Sequence, residues 1–199
     1  MEAVESRQKI IETAGAMFAD LGYEAVSIRE IAAEVHVDVD EIRRLFGSKS
    51  GLYDEILKTV ASSPRLQAIA SGDPDEGDPV ENLRTVAHAV ASQCGMANGD
   101  GWRFRLIANE LLRSKSRSQM VVGYWMPGYR YVARQISRIR GRSDPKRDTL
   151  LACGFFCLLD NMASFRDLVQ GVLGTSDDPR QYLNWGAEEV VRLFLNGLN

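Results

Sequence analysis

Histidine and cysteine are scarce in this chain, at two and three of 199 residues. Two histidines, with no Glu-x-x-His pattern and no phosphate-cradling glycine loop, leave no catalytic constellation, so an all-α enzyme has thin support. Cys94, Cys153 and Cys157 are an odd number, which suits reduced thiols better than a disulfide framework. Cys153 and Cys157 stand four apart on one helix face, a spacing a metal can use, but neither His36 nor His88 is near them in sequence. Packing is the better default for such thiols, and no metal or cofactor is expected. Long apolar runs are missing too. The longest, Leu150 to Leu159, ends at Asp160 and falls far short of the roughly 20 residues that cross a bilayer, so no membrane partner is expected. The first nine residues mix both charges and lack the apolar centre of a secretory signal, and the expected location is the cytoplasm.

What the chain does have is helical periodicity. With 45% hydrophobic and 26% charged residues, it is long enough for one core or for a small module joined to a larger one. No alternating run suggests a sheet. Ile10, Ile11, Ala14, Met17, Phe18 and Leu21 recur at helical spacing, and Gly22 stops that helix. Ser27-Ile28-Arg29-Glu30 has the capping-box form, so a second helix starts there with Ile28, Ile31, Ala32 and Val35 as its apolar face. After a break near His36 and Val37, Asp38 to Glu41 repeats that chemistry ahead of Ile42, Leu45 and Phe46. Gly47 ends this short third helix, Ser48 caps a fourth, and Pro64 marks its end or a kink.

The acidic, turn-rich stretch SGDPDEGDP at 71–79 reads as a solvated loop. Further helices are expected at about 79–94, 102–114, 118–140, 145–173 and 179–197. Two of the separators place Gly (Gly141, Gly174) after one helix, then Asp (Asp144, Asp178) as N-cap and Pro (Pro145, Pro179) at the first turn of the next. The expected fold is all-α with about nine helices.

The run GYEAVSIREIAAEVHV, followed by DVDEIRRLFGSKSGL, resembles the N-terminal domain of the tetracycline-repressor (TetR) family. The resemblance spans roughly residues 7 to 60, with Gly22, Tyr23, Ser27, Ile31, Ala32, Val37, Phe46, Ser48 and Lys49 at the pattern's positions. It implies a helix-turn-helix DNA-binding domain at 1–60, with the motif at 27–46, and a ligand-binding and dimerization domain at 61–199. The implied function is a ligand-responsive transcriptional regulator, a repressor that binds a palindromic double-stranded DNA operator as a homodimer.

Physically, a short braced helix fits the major groove, so the third helix is the expected reading element. Ser27 and Lys49, at or beside helix N-termini, are suited to phosphate. Arg29, Val39, Asp40, Arg43 and Arg44 complete the candidate DNA-binding set. The chain departs from the family pattern here: Arg43 stands where a Tyr is frequent, Leu45 where a His or Tyr is common, and Val26 where a hydroxyl is. Residues 1–60 hold seven Lys and Arg against twelve Asp and Glu, a net of −5, whereas the remainder is +2. That balance opposes a polyanion and favours the alternative of a dimeric ligand-binding or protein-interaction module that no longer binds DNA.

The second half is rich in aromatic residues, most of them expected in the core. Trp102, Trp125, Met126, Tyr129 and Phe155 are the candidate effector-binding residues, suited to an apolar or aromatic small molecule. Pro127, inside a helical pattern with Gly123 four residues before it, is expected to kink its helix and open a cavity. The basic run from Arg130 to Arg147 reads as a solvated face rather than a second nucleic-acid surface. The stretch 150–173 is apolar on more than one side. With the last helix it suggests a four-helix dimer interface through Phe155, Leu159, Met162, Leu183, Gly186, Val190 and Phe194.

Overall fold

The computed structural model describes residues 2–62, 64–95, 102–113, 115–175 and 178–197. Among these it contains eleven α-helices and no strand. They are α1 (Glu2–Leu21), α2 (Ile28–Val35), α3 (Val39–Phe46), α4 (Lys49–Ala61), α5 (Pro64–Ala70), α6 (Pro79–Gly95), α7 (Trp102–Arg113), α8 (Lys115–Arg140), α9 (Pro145–Ser164), α10 (Arg166–Leu173) and α11 (Pro179–Asn196). The chain forms two compact units, one of residues 1–62 and 99–124, the other of 63–98 and 125–199.

In the first unit the apolar stripe of α1 is buried as its spacing requires: Ile10, Ile11, Ala14 and Phe18 are at most 1% exposed. They share that interior with Ile31, Ile42, Leu52 and Ile56 from α2, α3 and α4. Helix α7 joins α1 and α4 in the same unit. Its Trp102 is buried flat against Gly15, where any Cβ would overlap the indole ring. Glycine at this point of α1 lets a whole ring replace a side chain.

The second unit is built on α6, α9 and α11. Leu83, Val86 and Ala87 meet Val132, Ile136, Ala152, Phe155, Leu159, Tyr182, Leu183 and Val190 in one continuous core. The two Gly, Asp-Pro separators behave as their chemistry dictates. Gly141 and Gly174 sit at φ +62° and +68°, and Asp144 and Asp178 accept backbone N–H groups of the following first turn. A buried ion pair, Arg140 with Asp148, closes the α8–α9 connection, and Asp148 also accepts the Asp144 N–H at 2.8 Å.

Helix count and boundaries differ from the sequence reading in three places. Lys115 to Arg117, read as a separator ahead of a helix at 118–140, is instead the start of α8. Pro64 opens α5 instead of ending α4, because proline fits the first turn, where no N–H is needed. The expected continuous helix over 145–173 is α9 and α10, separated where Phe165 leaves helical geometry at φ −106°, ψ 27°. Apolar residues keep their helical period across that break, so periodicity alone conceals it. Helix α8 runs on through Pro127. The separator at 96–101 lies outside the described residues.

Arg134 and Arg138 have a structural task in this unit. Arg134 grips Asp75 with two nitrogens at 2.6 and 2.9 Å, and Arg138 donates to the carbonyls of Pro74 and Gly77. The 71–78 segment is thereby held against α8 by the basic face. His88 is likewise engaged, 2.6 Å from Glu188, whose carboxyl is held below its usual range by His88 first and Arg84 next.

Candidate functional site

Helices α2 and α3 are joined by a turn whose pivot is His36, at φ +63° the one non-glycine left-handed residue among those described. Its N–H closes α2 by bonding to Ala32 O. At the other end of α2 the capping box is complete: Glu30 N donates to Ser27 Oγ at 3.2 Å, and Ser27 N to Glu30 Oε2 at 2.7 Å. Hydrogen bonding from the Ser27 side chain first, and from its backbone N–H second, holds the Glu30 carboxyl below its ordinary value.

The start of α3 is capped differently from expectation. Asp38 accepts the Asp40 N–H at 2.8 Å, but Glu41 does not reach back to complete a box. Its carboxylate instead accepts from Ser6 Oγ of α1 at 2.8 Å, tying the reading helix to α1. Two more α1 side chains brace the motif. Lys9 donates to Val35 O at the end of α2, and Arg7 pairs with Glu55 of α4 at 2.8 Å while covering the Phe46 ring. These α1 anchors escape a motif search because they lie about 30 to 50 residues from their partners.

Helix α3 buries Ile42 and Phe46 and turns Asp40, Arg43 and Arg44 outward, with Val39 half-buried. Arg29 of α2 is also exposed. Asp40 is paired with Arg43 at 3.2 Å. Lys49, at the first turn of α4, lies 4.3 Å from the Tyr23 ring centre and donates to Glu24 O at 3.4 Å. The seven candidate DNA-binding residues thus occupy one module, four of them on α3 and the others at the starts of α2 and α4. Gly51 fixes the α3–α4 angle, since a Cβ there would overlap the Phe46 carbonyl oxygen.

The candidate effector residues fall in different units. Trp102 belongs to the first and is 2% exposed. In the second, Trp125, Met126 and Tyr129 are half-buried on α8 and Phe155 is fully buried on α9. Tyr129 stacks on Phe156 at 4.5 Å and 28°, and on Trp125 at 6.5 Å. Burial, then Asp160, pushes the Tyr129 hydroxyl far up, while burial lifts the Asp160 carboxyl to about 6.

Five of the seven residues expected at a dimer interface are already buried within one protomer. Phe155, Leu159, Leu183, Gly186 and Val190 belong to the core of the second unit, leaving Met162 and Phe194 partly covered. Gly186 packs against Met162 of the same chain. The apolar surface left on these helices is Leu150, Leu158, Trp185 and Leu193, together with Leu168, Val172 and Leu173 of α10. No single helix among the described residues is long and apolar enough to cross a membrane.

A helix-turn-helix braced by a long first helix, in an all-helical chain, defines a class of DNA-binding regulator folds. Residues 10–56 match the family model described as bacterial regulatory proteins, tetR family. No curated protein matches the chain by sequence. Similar solved structures include a TetR-family transcriptional regulator from Bordetella parapertussis, at 21% identity and a TM-score of 0.72, covering 96% of this chain and 94% of that one. PfmR, a TetR-family regulator from Thermus thermophilus, is similar at 18% identity and a TM-score of 0.64, covering 92% and 97%. AibR, solved with isovaleryl coenzyme A and operator DNA, is similar at 17% identity and a TM-score of 0.65, covering 92% and 96%. The chain has a TetR-like fold along its length.

Proposed function

We propose that the protein is a ligand-responsive, DNA-binding transcriptional regulator, a repressor that binds a palindromic operator as a homodimer. The observation that carries this reading is the intact helix-turn-helix module, with α3 presenting Arg43, Arg44 and Asp40 and with Ser27 and Lys49 at flanking helix starts. Residues 1–60 read DNA; residues 61–199 bind effector and partner. The similar fold of AibR, which was solved with an operator and an acyl coenzyme A, supports a two-ligand protein of this class. The effector site proposed here is in the second unit, at Trp125, Met126, Tyr129 and Phe155; Trp102, in the first unit, is a separate candidate. It suits an apolar or aromatic molecule. A regulator, not an enzyme, fits this arrangement.

Selection of bound fragments from random duplex DNA at moderate salt tests the reading. Enrichment of an inverted repeat with half-sites about one helical turn, or a multiple of it, apart is the expected outcome. Recovery of no sequence above background overturns it. A second reading rests on the −5 charge of residues 1–60: a dimeric ligand-binding module that has lost DNA affinity. It predicts effector binding with no enriched duplex.

A further inference from the structure

The first unit contains a cavity of about 340 Å³, at the lower end of the range that holds small ligands. Phe18, Tyr23 and Tyr53 give it aromatic walls, and Glu24, Asn109, Glu110 and Arg117 are its polar lining residues. Glu110 on α7 is 5% exposed. One of its oxygens accepts the Tyr53 hydroxyl at 2.8 Å, whereas Oε1 is fully buried with no hydrogen-bond partner among the described residues. Arg117 does not serve that oxygen. Its guanidinium donates to Asp54 and to Ser50 Oγ, each at 2.8 Å, and lies 5.0 Å from the ring centres of both Tyr23 and Tyr53.

A buried carboxylate oxygen without a donor is costly, and the other buried side-chain polar atoms among the described residues have partners. A partner for it must bring N–H or O–H donors, and one with a positive charge is attracted by both the carboxylate and the aromatic faces. We propose that this cavity binds a small organic cation, an amine or amidine on an aromatic body, whose N–H groups donate to Glu110. The body stacks on the tyrosine walls. Because Tyr23 also carries Lys49 on its ring, an occupant that shifts Tyr23 moves a phosphate-suited cation at the start of α4. The site is distinct from the effector residues proposed on α8 and α9. Its existence does not depend on DNA binding; only the consequence for Lys49 rests on that reading.

Isothermal titration of the full chain with benzamidine and with tyramine, against benzoate as the anionic counterpart, tests the site. The expected result is that a cation binds with Kd below about 1 mM while benzoate gives no heat, and that Glu110→Gln weakens the cation about tenfold or more. Glu110→Gln keeps the shape of the side chain and an acceptor for the Tyr53 hydroxyl, so it should stay folded, with an unchanged circular dichroism spectrum. Tyr53→Phe, which leaves Glu110 with fewer donors, should bind the cation at least as tightly as wild type. Failure of both cations to bind, or equal binding by Glu110→Gln, overturns the proposal. So does loss of binding in a folded Tyr53→Phe. A duplex titration with and without the bound cation is the second arm: weakened DNA binding in wild type alone supports the Lys49 link, and unchanged affinity overturns that link while keeping the site. A protein that binds the cation but no duplex at all leaves this site standing and overturns the reading of the protein as a DNA-binding regulator.

Discussion

Asp40 Oδ1 lies 3.2 Å from Arg43 Nη1, one turn along α3, with the two side chains 84% and 58% exposed. So exposed an i,i+3 pair stabilises its helix by only about a few tenths of a kcal/mol, so Arg43 can exchange this partner for one in a groove at little cost. The pair also mutes one of the few cations of an acidic module. Arg29 and Arg44 are exposed with no ion-pair partner among the described residues.

Removing the acid therefore adds positive charge where DNA approaches. Asp40→Asn should raise affinity for operator and unrelated duplex alike and steepen the dependence on salt. Arg43→Ala should cost about 1–3 kcal/mol and relax preference at one symmetric pair of operator positions. Anisotropy titrations on operator and scrambled duplexes at two salt concentrations check both. A loss on Asp40→Asn confined to operator would show that the carboxylate accepts from a base.

The close approach at Gly51 makes a stability prediction. Its would-be methyl meets backbone, the Phe46 carbonyl oxygen, which no rotamer change can move aside. Gly51→Ala should destabilise by roughly 1–3 kcal/mol, visible as a fall of several degrees in the thermal midpoint. Gly123→Ala, on the exposed side of α8 with open space around it, should be neutral or slightly stabilising. Equal midpoints for both variants would remove Gly51 from the account of how α3 and α4 are set.

Local chemistry made much of this fold legible. Ser27 with Glu30, Gly141 with Asp144 and Pro145, and Gly174 with Asp178 and Pro179 mark ends whose bonds involve residues no more than a few positions apart. The reading module was legible for the same reason. What escaped depends on distant partners. Glu41 had two suitable donors, and its choice of Ser6 over its own helix start is settled by where α1 lies. Phe155 and Val190 were assigned to an interface because a two-sided apolar helix must be covered twice. A sequence cannot say that α6 and α8 of the same protomer supply the second cover. No local pattern marks Glu110 as buried, because its partner, Tyr53, lies more than fifty residues away.

Asp160 gives the second unit a pH signature. Its carboxyl is raised from an ordinary 3.8 to about 6 by burial, so the folded state holds the proton more tightly than the unfolded chain. Below about 4 both states are protonated and the group contributes nothing. As pH climbs through 6, the buried charge destabilises the fold by at most about 3 kcal/mol. Asp160→Asn should raise the denaturant midpoint at pH 7.5, and the gain should vanish near pH 4. A gain that persists unchanged at pH 4 would assign it to packing instead of ionisation.

The last prediction concerns the surface a second copy would cover. Phe155 is fully buried in its own protomer, so a charge placed there should unfold the chain and would say nothing about assembly. Leu158 on α9 and Leu193 on α11 are 43% and 53% exposed, and each stands on a helix whose other side is already packed. Glutamate at either position leaves the protomer core intact but puts a charge into any contact made across that surface. For a dimer through α9 and α11, light scattering of the wild type should give about 44 kDa, twice the chain mass of 22.1 kDa. Leu158→Glu or Leu193→Glu should shift that value toward the chain mass while helical circular dichroism stays unchanged, because burying an unpaired charge in an interface costs several kcal/mol. Operator affinity should fall with the dimer, since one protomer reaches one half-site only. If both variants keep the doubled mass, the two copies meet elsewhere, and the exposed apolar stripe of α10, Leu168 with Val172, becomes the surface to charge next.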